Sequence, residues 1–158
     1  MFPTDLSDYS VSAIGYAVTL CNLYGAKLYF LHVIDNSPYE SIPRVSPEMD
    51  DLHSRVEELT ISEMHRILRD KVSLELEVEV VTRTGDVEGE IIKFVEEEKV
   101  DLVIMSTHGK PGISDLIVGS VAEKVVSLAT VPVLTIRPDS DGNFEFDPSS
   151  LAGSLSSR

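Results

Sequence analysis

Leu102-Val103-Ile104-Met105-Ser106-Thr107-His108-Gly109-Lys110-Pro111-Gly112, running on to Gly119-Ser120-Val121-Ala122-Glu123, is the stretch whose reading decides the fold. The apolar run ending at Met105 predicts a strand buried on both faces. It stops at small and polar residues, passes two glycines and re-enters order at Gly119-Ser120. Ser120 and Glu123 have the Ser-x-x-Glu spacing of a helix capping box. A strand, a glycine-bearing loop and a helix N-terminus form the arrangement that turns backbone N–H groups and a helix dipole toward an anion. The same residues also suit a plain strand-to-helix connection with a well-capped helix.

Outward from this stretch, strands and helices alternate. Ser7 or Asp8 can cap a helix running to about Tyr24, with Ile14, Ala17, Val18, Cys21 and Tyr24 on one face and Gly25 as its left-handed stop. Cys21 on that face is a core residue. Lys27 to Ile34 predicts a central strand, apolar on both faces. Asp35 to Pro47 reads as a surface loop. A long charged helix follows from about Ser46 to Asp70, with Leu52, Val56, Leu59, Met64, Ile67 and Leu68 as its inward stripe. Its histidines, His53 and His65, are too far apart to share a metal and read as solvent-facing. Ser73 to Thr82 alternates apolar residues with Glu75, Glu77 and Glu79. That pattern predicts an edge strand whose charges discourage pairing with other chains.

Thr84-Gly85-Asp86 turns into a helix with Val87, Ile91, Phe94 and Val95 inward. The closing strand, Val131 to Ile136, carries Pro132 near its start, which marks an edge position. A first strand ends at Pro3-Thr4-Asp5 and is very short. Residues 138–158, rich in Ser, Asp, Gly and Pro, read as a flexible C-terminal tail.

Helices between every pair of strands dictate a parallel sheet with right-handed crossovers. The expected fold is a single-domain α/β protein: an open, Rossmann-like five-stranded parallel sheet of order 3-2-1-4-5 with helices on both faces. Ligands of such sheets sit at the carboxyl ends of the strands. Pro3-Thr4-Asp5 and Met105 to Gly112 are the best furnished of those ends.

The totals narrow the function classes. The chain has 158 residues, one cysteine and a formal charge of −14. The charge argues against nucleic acid as a partner. No apolar stretch reaches the roughly 20 residues that cross a bilayer. Neither a secretory signal nor an internal disulfide is expected, which fits the cytoplasm.

Here the residues resemble a known family, the universal stress proteins, over about residues 1–137. Its nucleotide-binding branch carries Gly, two residues, Gly, nine residues, then Gly and Ser or Thr. Gly109 and Gly119-Ser120 fit that spacing, and Ser106 stands where the first glycine is usual. Val121 to Val125, Val131 to Leu134, Pro3-Thr4-Asp5 and Leu31-His32-Val33 are similar to the family as well. The resemblance implies an ATP-type nucleotide: adenine near Val33, ribose near Asp5, phosphates over Gly109, Gly119, Ser120 and Val121. Pro3, Thr4, Met105, Ser106 and His108 complete the expected nucleotide-binding set.

The chemistry suits these residue types. A carboxylate accepts from ribose hydroxyls, glycines let backbone approach phosphate, and Ser120 with the N–H groups after it can donate to phosphate oxygens. Asp5 could instead cap the first helix, and Lys110 could face phosphate or solvent. His108 lacks a carboxylate partner and His32 reads as a satisfied core histidine, so no catalytic residue and no metal ligand are assigned.

The implied function is a homodimeric, regulatory nucleotide-binding protein of the stress response, paired through residues 131–136. Two alternatives share the site. One is a slow ATPase or nucleotidyl-transfer enzyme, with Asp5 helping to hold Mg2+. The other is a dimerisation module that has lost nucleotide binding.

Overall fold

The computed structural model describes residues 1–36, 47–72, 76–107 and 119–137, with side chains throughout except at 47–51. The elements alternate as expected: β1 (Phe2–Pro3), α1 (Asp8–Ser12), α2 (Ile14–Tyr24), β2 (Leu28–Asp35), α3 (Pro47–Lys71), β3 (Val78–Gly85), α4 (Val87–Glu97), β4 (Val103–Ser106), α5 (Ser120–Leu128) and β5 (Val133–Ile136). All pairings are parallel, and they form a three-stranded sheet of order β1-β2-β3 and a two-stranded sheet β4-β5. Two hydrogen bonds join β4 and the residue before it to the residue before β1: Ile104 N–H donates to Met1 O at 2.9 Å, and the Met1 ammonium donates to Leu102 O at 2.8 Å.

The core divides into two clusters because successive residues of a strand point to opposite faces. Leu31, Val33, Val103 and Met105 pack with Ile91, Phe94 and Val95 of α4 and Ala122 and Val125 of α5. Phe2, Leu28, Phe30 and Ile104 pack with Ile14, Ala17 and Cys21 of α2 and Met64 and Ile67 of α3. Burial pushes the Cys21 thiol up from its ordinary pKa, against the opposing pull of the nearby N-terminal ammonium.

Several sequence expectations change in detail. The first helix is two helices. Ser7 does cap α1, its side chain accepting from Ser10 N–H, but the chain turns at Ala13 before α2 begins. Gly25 ends α2 in the left-handed conformation, at φ 60°. Tyr24, placed on the inward face by its spacing, is 76% exposed because it lies in the last turn, beyond the sheet's cover. On α3 the stripe divides: Met64 and Ile67 are buried, whereas Leu52, Val56 and Leu59 are exposed. The buried positions of the helix begin at Thr60 and continue with Met64 and Ile67, while in the first half Glu57 accepts from Thr82 Oγ1–H of the edge strand at 2.9 Å.

β3 starts at Val78, later than the alternating pattern indicates, and runs on to Gly85. Glu75 lies outside the described residues. Within β1-β2-β3 it is an edge strand, and Glu77 and Glu79 are shared by Lys27 at 4.0 and 2.6 Å.

Candidate functional site

The carboxyl ends of the strands lie where Thr4, Asn36, Asp86 and Thr107 follow β1 to β4. After β1 the chain makes a tight, internally bonded turn. Thr4 Oγ1 accepts from Leu6 N–H at 3.0 Å and from Ser10 Oγ–H at 2.8 Å. Asp5 Oδ1 accepts from Ser7 N–H at 3.0 Å and Ser7 Oγ–H at 2.6 Å. These bonds hold Leu6 at φ 64°, a left-handed conformation that costs a leucine roughly 1 kcal/mol. Asp5 is exposed, and its second carboxylate oxygen takes part in no hydrogen bond among the described residues. Pro3 and Thr4 beside it are buried.

On the α4–α5 face, Val33 of β2 and Met105 of β4 are buried in one apolar cluster, with Val121 of α5 packed against it. Three of the expected contacts, drawn from three elements, therefore lie in or against the same cluster. Ser106 and Thr107 close β4, each 8% exposed. The chain departs after Thr107 and re-enters the described structure at Gly119, and the two are bonded: Gly119 N–H donates to Thr107 O at 2.7 Å. A Cβ on Gly119 would meet that carbonyl oxygen at 2.8 Å. His108 and Gly109 of the expected site, like Lys110 and Gly112, lie outside the described residues.

The capping box expected at Ser120 and Glu123 does not form. Gly119, drawn to Thr107, is itself the N-cap at φ −57° and ψ 147°, and no side chain caps α5 among the described residues. Ser120 thus becomes the first residue inside the helix, and it is exposed. The first turn of α5 keeps its N–H groups for an acceptor outside the helix, since Glu123 N–H makes the first internal bond, to Gly119 O at 2.9 Å. This leaves the helix end more open to an anion than a capping box would.

Two polar groups at this edge were not read from the sequence as part of the site. His32 Nδ1 lies 2.8 Å from Thr4 O, which ties β2 to the turn that carries Asp5. Asn36 Oδ1, just past β2, is buried with no hydrogen-bond partner among the described residues. A histidine within an aromatic-apolar run reads as core from sequence. Its bond to Thr4 depends on β1 lying alongside, which no local pattern reveals. Among the described residues, no group of three His, Cys, Asp or Glu side chains could hold a metal ion. None of the helices among those residues is long and apolar enough to cross a membrane.

Known proteins resemble this chain in sequence and in fold. The sequence profile of the Universal stress protein family matches residues 1–137. Universal stress protein MJ0531 of Methanocaldococcus jannaschii is 33% identical over 141 residues, covering 87% of this chain and 80% of its own. A crystal structure of a universal stress protein in complex with cAMP superimposes with a TM-score of 0.58 at 19% identity, over 85% of this chain and 92% of that one. The universal stress protein from Archaeoglobus fulgidus in complex with dAMP superimposes with a TM-score of 0.54 at 20% identity, over 80% and 86%. With the profile spanning both core clusters and the edge between them, the chain belongs to the universal stress protein family.

Proposed function

We propose that this protein binds an adenine nucleotide of ATP type at the carboxyl edge of its sheet and acts as a regulatory protein of the stress response. One juxtaposition carries the reading: the apolar cluster that holds Val33 and Met105 packs against Val121, in the first turn of a helix, α5, that has no side-chain cap among the described residues. An aromatic base suits the first, and phosphate oxygens suit the second. The cAMP and dAMP complexes of the two related folds support the adenine nucleotide class.

In this reading Pro3 and Thr4 wall the ribose side, and the uncommitted carboxylate oxygen of Asp5 accepts from ribose hydroxyls. Val33 faces the base together with Met105. Ser120 and Val121 donate to phosphate, Gly119 lets the backbone come close while its own N–H holds Thr107 O, and Ser106, His108 and Gly109 complete the loop. Asp5 is also the one residue of this set with a carboxylate to offer a Mg2+ ion accompanying ATP.

The same proposal takes residues 1–137 as one domain and 138–158 as a tail outside it. It joins the two ladders into one five-stranded sheet of order 3-2-1-4-5, which the two bonds at Met1 support. It places the protein in the cytoplasm as a homodimer paired through residues 131–136. β5 is paired on one side only among the described residues, and Leu134 on it is 39% exposed.

Isothermal titration with ATP, AMP and cAMP tests the function. The expected result is saturable binding below millimolar concentration that Asp5→Ala weakens. Absence of heat with all three at millimolar nucleotide would overturn it.

A further inference from the structure

The ladder between β1 and β2 stops one hydrogen bond early. Pairing runs through Phe2–Phe30 and Pro3–Leu31, and Thr4 N–H still donates to Leu31 O at 2.9 Å. In a parallel ladder, the next bond would run from Val33 N–H to the Thr4 carbonyl. That bond would have paired Thr4 with His32, yet the pairing ends at Pro3. The Thr4 carbonyl instead has His32 Nδ1 at 2.8 Å. A carbonyl oxygen only accepts, so Nδ1 carries a proton and donates, and in the neutral ring Nε2 has none.

The consequence falls on Val33. Backbone groups of a strand alternate between its two neighbours. Leu28 N–H bonds toward β3, to Glu77 O at 2.9 Å, so the even positions of β2 face β3 and the odd positions face β1. Both the N–H and the C=O of Val33 therefore face the space just beyond the end of β1. Val33 is only 8% exposed. Among the described residues the Val33 N–H has no partner, and a buried N–H left so is rare and needs an account. The Val33 C=O is not taken up by the turn after β1 either, because Leu6 N–H, which would donate to it in a continued ladder, is held by Thr4 Oγ1, and Leu6 sits at φ 64°.

We infer that His32 is a positioning residue: its imidazole occupies the Thr4 carbonyl so that the main-chain N–H and C=O of Val33 remain available to the edge of a nucleobase. The inference rests on the nucleotide-binding reading, in which Val33 faces adenine, and adds to it the side chain that keeps this contact open. A donor beside an acceptor matches the adenine edge, whose N1 accepts and whose amino group donates. It opposes the guanine edge, where O6 accepts and N1–H donates. Were His32 absent, the Thr4 carbonyl would take the Val33 N–H into the ladder and remove it from the base.

Amide hydrogen exchange followed by NMR on the protein without nucleotide, paired with titration of ATP and GTP, tests this. Three variants are compared. His32→Leu removes the donor, His32→Gln moves its amide to the far ring position, and His32→Asn restores an N–H close to the place of Nδ1. In the unsubstituted protein the Val33 amide is expected to exchange at least about tenfold faster than that of Leu31, whose N–H lies in the ladder. In His32→Leu and His32→Gln the Val33 amide slows toward Leu31, ATP binding weakens about tenfold, and the preference over GTP shrinks. His32→Asn behaves as the unsubstituted protein.

Val33 protected from the start, or unchanged in both loss variants with ATP binding intact, overturns the inference. A general loosening of the fold would speed exchange at Val33, the opposite of the expected change. If the unsubstituted protein binds neither nucleotide, the functional reading fails, while the Val33 exchange comparison still decides the role of His32.

Discussion

At Gly119 the packed structure gives glycine a reason that the sequence does not. From sequence it is a glycine that lets backbone approach phosphate. In the structure its φ is −57°, open to any residue, and what excludes a side chain is the Thr107 carbonyl oxygen, 2.8 Å from where a Cβ would sit. That contact is with backbone, so nothing flexible can yield. Gly119→Ala is therefore expected to cost about 1–3 kcal/mol, read as a lower urea midpoint at unchanged slope. If the nucleotide reading holds, the variant also weakens ATP binding, because moving Gly119 rotates the first N–H groups of α5. Ser120, predicted to cap, lost that role to the same contact. Its pattern with Glu123 was legible, but which residue becomes the cap depended on a bond to a carbonyl twelve positions earlier.

Among the elements, α3 separates what periodicity shows from what it leaves open. Its apolar spacing identifies a face. Whether that face is covered depends on where the sheet ends beneath it, and Leu59 is 71% exposed while Met64 is fully buried. Met64→Ala should destabilise by about 2–5 kcal/mol, and Leu59→Gln should stay within about 0.5 kcal/mol. Equal losses in a denaturation series would show that the two halves of the helix are packed alike. α4, by contrast, was legible at both levels. Asp86 caps it, accepting from Gly89 N–H at 2.9 Å, and Ile91, Phe94 and Val95 are buried as their spacing requires. It is short enough to be covered along its length.

For the whole molecule, the charge balance dominates the electrostatics. There are 27 acidic residues against 13 lysines and arginines. Ion pairs such as Lys27–Glu79 at 2.6 Å and Lys124–Glu88 at 2.8 Å are carried by partly or largely exposed lysines, and surface pairs contribute little. Repulsion among the excess carboxylates outweighs them, and salt screens it over about 8 Å at 0.15 M compared with about 30 Å at 0.01 M. The thermal midpoint should thus rise by a few degrees between those ionic strengths in sodium chloride. A fall would mean that the surface ion pairs outweigh the repulsion.

At this scale the division between sequence and tertiary structure is clear. Local sequence pattern was enough for the alternation of strands and helices, the parallel pairing that this alternation forces and the edge strand marked by glutamates. These follow from period, capping and connection rules that act over a few residues to a few tens. The break at Ala13, the exposed half of α3, Gly119 as the cap of α5 and the His32–Thr4 bond come from the packed structure. Each turns on which distant backbone group arrives within hydrogen-bonding or van der Waals reach, and that is set by how the elements pack rather than by any local pattern.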